Sequence, residues 1–595
     1  MNQLILDHSG KQLKTVSFFQ TIQSAVQLKI LFLLFFGISV FSRQSYAQGT
    51  WVPIASPAPD TSFGQMLLLT DGSVIVKTSF DTTSGLLIEG NVWDRLVPDI
   101  HGSYVNGTWS RIAPMHVDRY AFSSLVLKDG RVYVAGGEYG GGHDCGEVYD
   151  PVTNTWTYVS PWPILTDMLD ANCELLPDGT VLQAAAHPGI FLCYFDPVSM
   201  MYTMAPSSYF SQDESTWLKL PDNSILYVDL DTTTSERYIP SIDTWVQDGI
   251  VPVSLYDSFE ETGPAFVLPD GNAFFLGSQG YTAYYMPSGN TSPGTWLAGP
   301  PIPDNRAASD ACGAMMVDGK IICEVAKKDD NMGAFYSPTY FYEFDYLTNT
   351  FTLTHAPPGG DSMISPAYNH TMLALPDGHI LFSSFYSKQY YEYIPAGPPL
   401  PAGKPSISSI IKISCDTFMA TGTLFNGITE GASYGDDCQM ATNYPIIRLT
   451  SGSNVYYART FNWNRTGLRT GSLLDTTWFS LPLTLPMGTY SLYVVANGNP
   501  SAPVSFSTCG VGVEGPTLEK NDISLSPNPT NKVWNIGFTN NKPVNYFVTV
   551  VRMTGQLVYQ AENSIAIDAS AFPPGIYFVD VYFDHAHYYL QAVKN

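Results

Sequence analysis

Four acidic residues stand at nearly equal distances before a turn that recurs along the chain. Asp170, Glu214 and Asp310 each come eight residues before the aspartate of an Asp-Gly or Asp-Asn pair, and Glu261 comes nine before. Equal distances from equivalent turns put side chains at equivalent heights, so we expect four carboxylates at one rim. Crowded carboxylates repel unless neutralised, which predicts a cation site, with calcium possible, or a polar sugar cleft. A merely solvated acidic rim is the alternative.

Aromatic and amide side chains precede other copies of the same turn. Tyr120 comes nine residues before its turn aspartate, and Tyr368 and Asn369 come nine and eight before theirs. An aromatic ring offers an apolar face and an amide both donates and accepts hydrogen bonds, a combination that suits a sugar. With Tyr139 and Trp217, these residues predict a glycan-binding surface, although aromatic side chains at such positions also serve to pack one repeat on the next.

The turn belongs to a repeated pair of hydrophobic strands that predicts the fold. The Asp-Gly pairs favour a tight two-residue turn in which both central residues have positive φ. Successive turn aspartates are 58, 49, 44, 48, 48 and 59 residues apart, which is the length of a four-stranded propeller blade. The seven aspartates are Asp71, Asp129, Asp178, Asp222, Asp270, Asp318 and Asp377.

Most hairpins are followed by a third strand, a turn and a fourth strand that carries an aromatic residue. EVYDPVTNTW ends at Trp156 and RYIPSIDTW ends at Trp245. This pattern, over residues 49–400, resembles the kelch propeller of galactose oxidase and its bacterial relatives, which implies a seven-bladed ring. The last repeat lacks its fourth strand, and we expect the strand of Trp51, near the mature N-terminus, to complete that blade and close the ring.

The resemblance to galactose oxidase also implies one copper ion, held by a cysteine crosslinked to a tyrosine, an axial tyrosine and two histidines. Tyr368 matches the axial tyrosine. His370 is one residue out of register, and a one-residue slip turns a strand side chain to the other face. We therefore expect no copper and no radical oxidase activity. Four implied ligand positions hold other residues: Phe63, Ala121, Asn369 and Phe461.

Two further modules follow the repeats. A proline-rich linker begins at Pro398, and residues 406–510 alternate like the strands of the immunoglobulin-like sandwich that follows such propellers. Residues 519–595 resemble the C-terminal sorting domain of type IX secretion cargo. That resemblance implies handling by the type IX secretion machinery, export across the outer membrane, removal of the domain, and attachment to the surface or release. It rests on Ser526-Pro527-Asn528-Pro529, Met553-Thr554-Gly555-Gln556, Phe572-Pro573-Pro574-Gly575-Ile576-Tyr577 and Lys594.

The N-terminus and the charge narrow the location and the partners. Lysines precede the apolar run Ile30–Phe41, and a small-residue cleavage site ends at Ala47, so residues 1–47 are predicted to be a signal peptide. A membrane anchor is the alternative, but the run is short for a bilayer. No later segment is apolar enough to cross one, so the mature protein is expected to have no transmembrane segment. A net charge of -25 argues against nucleic acid and anionic lipid as partners.

The sequence as a whole predicts an all-β, exported protein. A seven-bladed kelch-type β-propeller over residues 48–400 precedes an immunoglobulin-like β-sandwich over 406–510 and a small β-sandwich sorting domain over 519–595. We expect a secreted or surface-attached binding protein for a glycan or protein ligand. A carbohydrate-active enzyme is the alternative, either a diverged oxidase or a hydrolase or lyase that uses rim carboxylates. No catalytic residue and no cofactor other than a possible calcium ion are predicted.

Overall fold

The computed structural model describes residues 48–595 except for short gaps. The gaps are residues 83–84, 86–88, 163–166, 170–171, 186–188, 213, 230–232, 259–260, 329–334, 435–439, 509–522, 540–544, 554–555 and 584–585. The predicted signal peptide and the predicted site residue Asp170 therefore lie outside the described residues.

Between Thr50 and Ile394 the described residues form seven antiparallel sheets, named blades 1 to 7 in the order of their turn aspartates. Blade 1 contains β2 (Ser62–Leu68), β3 (Val74–Thr78), β4 (Trp93–Val97) and β5 (Thr108–Arg111). A short pair, β6 (Arg119–Tyr120) and β9 (Tyr139–Gly140), accompanies blade 2, which contains β7 (Ser123–Val126), β8 (Val132–Ala135), β10 (Gly146–Asp150) and β11 (Thr155–Val159). Blade 3 contains β12 (Cys173–Leu175), β13 (Val181–Ala185), β14 (Phe191–Asp196) and β15 (Met201–Met204). Blade 4 contains β16 (Leu218–Lys219), β17 (Ile225–Val228), β18 (Ser235–Ile239) and β19 (Thr244–Gln247).

The remaining blades follow the same plan. Blade 5 contains β20 (Ala265–Val267), β21 (Ala273–Leu276), β22 (Thr282–Met286) and β23 (Thr295–Ala298). Blade 6 contains β25 (Cys312–Met315), β26 (Ile321–Lys327), β27 (Tyr340–Asp345) and β28 (Thr350–Thr354), and β24 (Arg306–Ala307) pairs with β26. Blade 7 contains β29 (His370–Ala374), β30 (Ile380–Ser384), β31 (Tyr391–Ile394) and β1 (Thr50–Pro53). Short 3-10 turns lie at Pro303–Asn305, Ala367–Asn369 and Pro401–Gly403.

The N-terminal strand closes the last blade, as the sequence predicts. β1 pairs antiparallel with β31, with Trp51 opposite Tyr393. Trp51 packs against Phe341, Phe382 and Tyr393, and its indole N–H donates to the backbone oxygen of His355 at 2.7 Å. Blade 7 is thus built from both ends of the propeller sequence, and it leaves no unpaired fourth position.

Burial falls from the inner strands of each blade to the outer one. All residues of β2 and β3 in blade 1 are buried, whereas β5 is largely exposed. The inner strands are short continuous apolar runs because neighbouring blades cover both of their faces, and the outer strand alternates because only one face is covered.

A β-sandwich packs against the hairpin-turn end of the propeller. Its strands form one hydrogen-bonded sheet of eight with a separate hydrophobic core. The approach is close at Gly72, whose φ is 77° and whose missing Cβ would lie 2.5 Å from the ring of Tyr457. The strands are β32 (Ser406–Lys412), β33 (Thr417–Thr423), β35 (Ile446–Ser451), β36 (Asn454–Phe461), β37 (Asp475–Ser480), β38 (Thr489–Ala496), β39 (Asn499–Pro500) and β40 (Val504–Ser507).

One loop of the sandwich enters the centre of the propeller. β34 (Ala432–Tyr434) pairs antiparallel with the inner strand of blade 6, with Gly313 opposite Ser433. Its neighbour Glu430 donates its backbone N–H to Val267 in blade 5 at 3.3 Å. We call residues 424–444 the plug. Residues 435–439 of the plug lie outside the described residues.

The C-terminal strands form two further sheets around their own core. Lys594, in the last strand, also forms a parallel β-bridge with Thr530, which holds the C-terminal end against the module. The strands are β41 (Ile523–Ser526), β42 (Val533–Phe538), β43 (Phe547–Arg552), β44 (Leu557–Glu562), β45 (Ala566–Asp568), β46 (Gly575–Phe583) and β47 (Ala586–Lys594).

Candidate binding site at the propeller rim

The seven hairpin turns share one geometry, but it is not the predicted two-residue turn. In blade 1, the Gly72 N–H donates to the carbonyl of Leu69, and the Leu69 N–H donates to the carbonyl of Ser73. Together these two bonds close a three-residue loop. Gly72 has positive φ, whereas Asp71 is not among the residues with positive φ. This is a type I turn followed by a glycine bulge. The prediction that both central residues have positive φ is therefore wrong.

The turn aspartate has a defined role in this geometry. Its carboxylate accepts the backbone N–H two residues later, at 2.9 to 3.2 Å across the seven blades. Such a local hydrogen bond is the reason aspartate is favoured at turns. Because all seven loops are equivalent, counting back from the aspartate compares equivalent points on the inner strands.

Hydrogen bonds between blades fix these inner strands at one height. In several pairs of adjacent blades, a side chain of one inner strand donates to a backbone carbonyl of the next inner strand. The donor lies six residues before its own turn aspartate, and the acceptor lies seven residues before the turn aspartate of the next blade. Thr371 reaches Gly64 at 3.3 Å, which joins blade 7 to blade 1. The other pairs are Gln65 with Phe122 at 2.7 Å, Asn172 with Ser215, and Thr216 with Gly263 at 2.8 Å. The end of the propeller opposite the turns and the sandwich is therefore a level rim.

Three rim residues share an unusual backbone conformation. Ala121, Glu214 and Asp310, each eight residues before a turn aspartate, have φ of 48°, 50° and 47°. Non-glycine residues rarely adopt this left-handed conformation, and those that do are concentrated at functional sites. The shared φ also confirms that these three positions are equivalent in the fold.

The acidic side of the rim lies on blades 4 to 6. Glu214, Glu261 and Asp310 are all half-buried. The Asp310 N–H donates to the carbonyl of Thr262 at 2.8 Å, which places Asp310 beside the residue that follows Glu261. The structure therefore puts three of the four predicted acids at the same end of adjacent blades. The fourth, Asp170, cannot be placed, and the cation site at the rim stays a prediction.

A further carboxylate joins this side of the rim. Asp257 accepts the backbone N–H of Glu261 at 3.2 Å and the hydroxyl of Ser309 at 3.1 Å, which connects blade 5 to the entry of blade 6. Its distance from the turn aspartate is 13 residues, outside the register used for the prediction. The Asp257-Ser309 pairing is a contact between blades, so no spacing within one repeat could reveal it.

The aromatic side of the rim lies on blades 7, 1 and 2. Phe63 packs against Tyr120, Phe385 and Tyr386 with ring centroids 4.6, 5.0 and 5.4 Å apart. Tyr120 stacks on Tyr139 at 5.6 Å. The outer members are open to solvent, with Tyr139 48% exposed and Tyr386 63% exposed. We call these five residues the aromatic patch.

A buried lysine lies beneath the aromatic patch. The Lys77 ammonium is 5.8 Å from the centre of the Phe63 ring and donates to the backbone oxygen of Thr78 at 2.8 Å. Burial lowers the pKa of Lys77 to about 7, partly offset by Asp118.

The other predicted aromatic and amide residues divide between rim and core. Tyr368 packs against the exposed Phe335 at 4.9 Å, and Asn369 donates from its side chain to the Ser365 hydroxyl at 3.3 Å. Both are half-buried at the rim, as expected. Trp217 is fully buried against Trp245. The prediction that Trp217 offers a stacking face is wrong, because the residue fills the space between blades 3 and 4.

The positions that copper would need are not brought together. His370 is fully buried, 2.7 Å from Glu324 of blade 6, and lies between blades rather than at the mouth. Phe461 lies at the hairpin-turn end, where the next residue, Asn462, donates to Lys128 at 2.5 Å. Phe63 is enclosed by aromatic rings. The expectation that copper is absent remains a prediction, and this arrangement supports it.

Comparison with known families locates two modules. Residues 119–161, which include Tyr120 and Tyr139, match the kelch motif. Residues 524–594 match the secretion system C-terminal sorting domain. The propeller thus carries a kelch motif, and the C-terminal module matches a type IX sorting domain. That domain directs the protein to the cell surface or the exterior.

Two solved structures resemble the protein at low identity. A fungal alcohol oxidase of the AA5 family in complex with copper is 15% identical, with a TM-score of 0.47, over 78% of this chain and 100% of that chain. A virginiamycin B lyase of Staphylococcus aureus, with quinupristin, is 9% identical, with a TM-score of 0.40, over 58% of this chain and 99% of that chain. Likenesses this distant carry no argument about activity.

No curated protein matches this chain. In the described part of the chain, no helix combines the length and apolar character needed to cross a bilayer.

Proposed function

We propose that the protein is a secreted binding protein that takes a glycan at the propeller rim. The observation that carries the proposal is the aromatic patch, in which Tyr139 is 48% and Tyr386 is 63% exposed at the rim. Exposed aromatic faces in a group usually mark an interaction surface. The carboxylates across the same rim supply acceptors for sugar hydroxyls.

The rim geometry favours binding over oxidation. Phe63 offers no ligand atom for copper, and His370 is buried against Glu324 rather than presented at the rim. A hydrolase would need two carboxylates at a fixed gap on either side of the scissile bond. Glu261 and Asp257 lie close in sequence and space, but the backbone N–H of Glu261 and the Ser309 hydroxyl occupy the Asp257 carboxylate.

The test is a glycan-array screen of the purified protein, followed by titration of the best glycan against variants. Tyr139→Ala and Tyr386→Ala should each weaken binding by about fivefold, since loss of one stacked ring costs on the order of 1 kcal/mol. Leu347→Ala is the control, because Leu347 is an exposed apolar side chain in the turn after β27, at the hairpin-turn end of blade 6 and therefore opposite the rim.

Three outcomes separate the candidates. Binding that falls only in the rim variants supports the proposal. Binding that is unaffected by both rim variants, or no glycan bound at all, contradicts it and favours a protein ligand. Copper-dependent peroxide production from galactose or another primary alcohol would instead establish the oxidase alternative.

A further inference from the structure

At the opposite end of the propeller, three side chains of blade 7 have the composition of a metal site. Asp377, His379 and Glu392 each bring one ligand atom to within 4.8 Å of the others. His379 Nδ1 lies 3.3 Å from an Asp377 oxygen and 2.8 Å from a Glu392 oxygen. The first two residues belong to the hairpin turn and Glu392 to β31, so the backbone of a single sheet holds all three.

Equivalent positions in two other blades hold a permanent cation. One position on the third strand of each blade lies opposite the residue four after the turn aspartate. It holds Glu392 in blade 7, but Arg95 in blade 1 and Arg237 in blade 4. Arg95 pairs with its turn aspartate, and Arg237 lies 3.2 Å from Asp222. The turn in these blades is therefore neutralised by a guanidinium group, which is always charged.

Blade 6 shows how the same position accommodates a glutamate. There Glu343 takes the place of Glu392, and Lys320, two residues after the turn aspartate, lies 3.2 Å from it. In blade 7 the residue two after the aspartate is His379 instead of lysine. Two carboxylates thus share one imidazole, where blade 6 has an ammonium group.

The buried carboxylate is incompletely satisfied. The Glu392 side chain is 1% exposed, and its Oε1 atom has no hydrogen-bond partner. A buried acceptor without a partner costs free energy, more so when it is charged. The other two members remain reachable from solvent, with His379 28% and Asp377 19% exposed.

We propose that Asp377, His379 and Glu392 bind a divalent metal ion of the zinc class. One imidazole nitrogen and two carboxylate oxygens are ligands that zinc accepts, and donors in a tetrahedral site at normal bond lengths lie about 3.3 Å apart. The distances from His379 Nδ1 to the two carboxylates, 3.3 and 2.8 Å, are near that spacing. The ion supplies the positive charge that Arg95 and Arg237 supply in their blades, and water fills the open side. This site is independent of the glycan rim.

The test measures zinc binding by the purified full protein, using equilibrium dialysis with metal analysis and thermal melting. Wild-type protein should bind zinc, and its Tm should rise with zinc and fall with chelator, because a ligand bound only by the folded state stabilises it. Asp377→Asn and His379→Gln should each weaken the affinity by about tenfold or more. Calcium, which prefers six to eight oxygen ligands, should not compete.

The matched controls are Asp270→Asn and Asn272→Gln, which introduce the same residues at the equivalent turn positions of blade 5 and should leave zinc binding unchanged. Glu392→Gln, which keeps the shape of the side chain, checks the buried ligand if a turn variant misfolds. If wild-type protein binds no zinc, or if the three blade 7 variants bind it as tightly as wild type, the group is only an ion pair around a charged His379 and the proposal is wrong.

Discussion

Individual ionisable side chains are buried where the plug meets the propeller. Glu430 is 4% exposed, and its backbone is held by Val267 of blade 5. Burial, reinforced by Glu174 and partly offset by Lys219, raises the pKa of Glu430 to about 8. The folded protein therefore keeps this carboxyl group protonated at neutral pH, whereas the unfolded chain ionises it near its ordinary pKa of 4.5.

This difference predicts a pH dependence of stability. Since only the unfolded chain releases the proton between pH 4.5 and about 8, the stabilisation is complete below 4.5 and is lost as the pH rises towards 8. The slope is at most about 1.4 kcal/mol per pH unit. Glu430→Gln, which cannot ionise, should remove this contribution.

The measurement is urea unfolding of wild type and Glu430→Gln at several pH values from 5 to 9. Other groups titrate in the same range, since burial raises the pKa of Glu236 to about 7, so the difference between the two proteins is the relevant quantity. A difference in unfolding free energy that stays constant with pH would show that Glu430 is already ionised in the folded protein.

At the scale of strands, ring closure depends on a short segment from the N-terminal end. Deletion of residues 49–54 removes β1 and exposes the edge of β31. Trp51→Ala removes only the side chain and should destabilise the protein by about 2–4 kcal/mol, somewhat less than for a fully buried tryptophan. The deletion should cost more, because backbone hydrogen bonds are also lost.

Trp156→Ala is the control for ring closure. Trp156 occupies the outer strand of blade 2, away from the closing blade, and its indole N–H donates to the backbone oxygen of Ala113 at 2.8 Å. Thermal melting should show similar losses for the two tryptophan variants and a larger loss for the deletion. A deletion no worse than Trp51→Ala would mean that β1 contributes side-chain packing but not closure.

The strands were predictable from sequence because each hairpin carries its own turn signal. The Asp-Gly repeat identified every inner pair, and the missing fourth strand identified the pairing of β1. The turn type was missed because Asp-Gly suits both a two-residue turn and a three-residue loop with a glycine bulge. Trp217 was misplaced because it lies five residues before its turn aspartate, three residues further along the strand than Glu214 at the rim, and its side chain is buried between the blades.

The site could be predicted only in part, since it is assembled from different blades. The equal offsets of Glu214 and Asp310 placed both residues at the rim. The aromatic patch draws Phe385 and Tyr386 from the loop after β30, and the zinc group draws Glu392 from a third strand. Neither loop positions nor third strands have a fixed spacing from the turn aspartate, because the connections differ in length between blades.

On the scale of the whole molecule, the hydrophobic clusters of the described residues show how the modules connect. The sandwich and the sorting domain each have a cluster of their own, whereas the largest propeller cluster also includes Ile446, Trp463 and Val495 of the sandwich. The plug connects the propeller and the sandwich, since Tyr434 and Ser433 pair with blade 6 and the Tyr444 hydroxyl donates to Leu68 of blade 1. The sandwich thus acts as a support for the turn end, which leaves the rim open for a ligand.

The sorting domain should be required for export but not for folding of the propeller. Its core contains Trp534, Val579 and Ala592, and none of the propeller residues. Removal of residues 586–595 deletes β47, which pairs along the whole of β46 and bridges Thr530 through Lys594. We expect this truncated protein to accumulate in the periplasm with a folded propeller, because the core of the propeller does not depend on the missing strand.

Fractionation of cells that produce wild-type or truncated protein, with limited proteolysis of the retained form, measures both properties. Substitution of the exposed Leu483 by serine, on the sandwich surface, controls for nonspecific effects on export. Truncated protein at the surface would overturn the role of the domain in sorting, and truncated protein that is retained but fully digested would show that the propeller depends on the tail to fold.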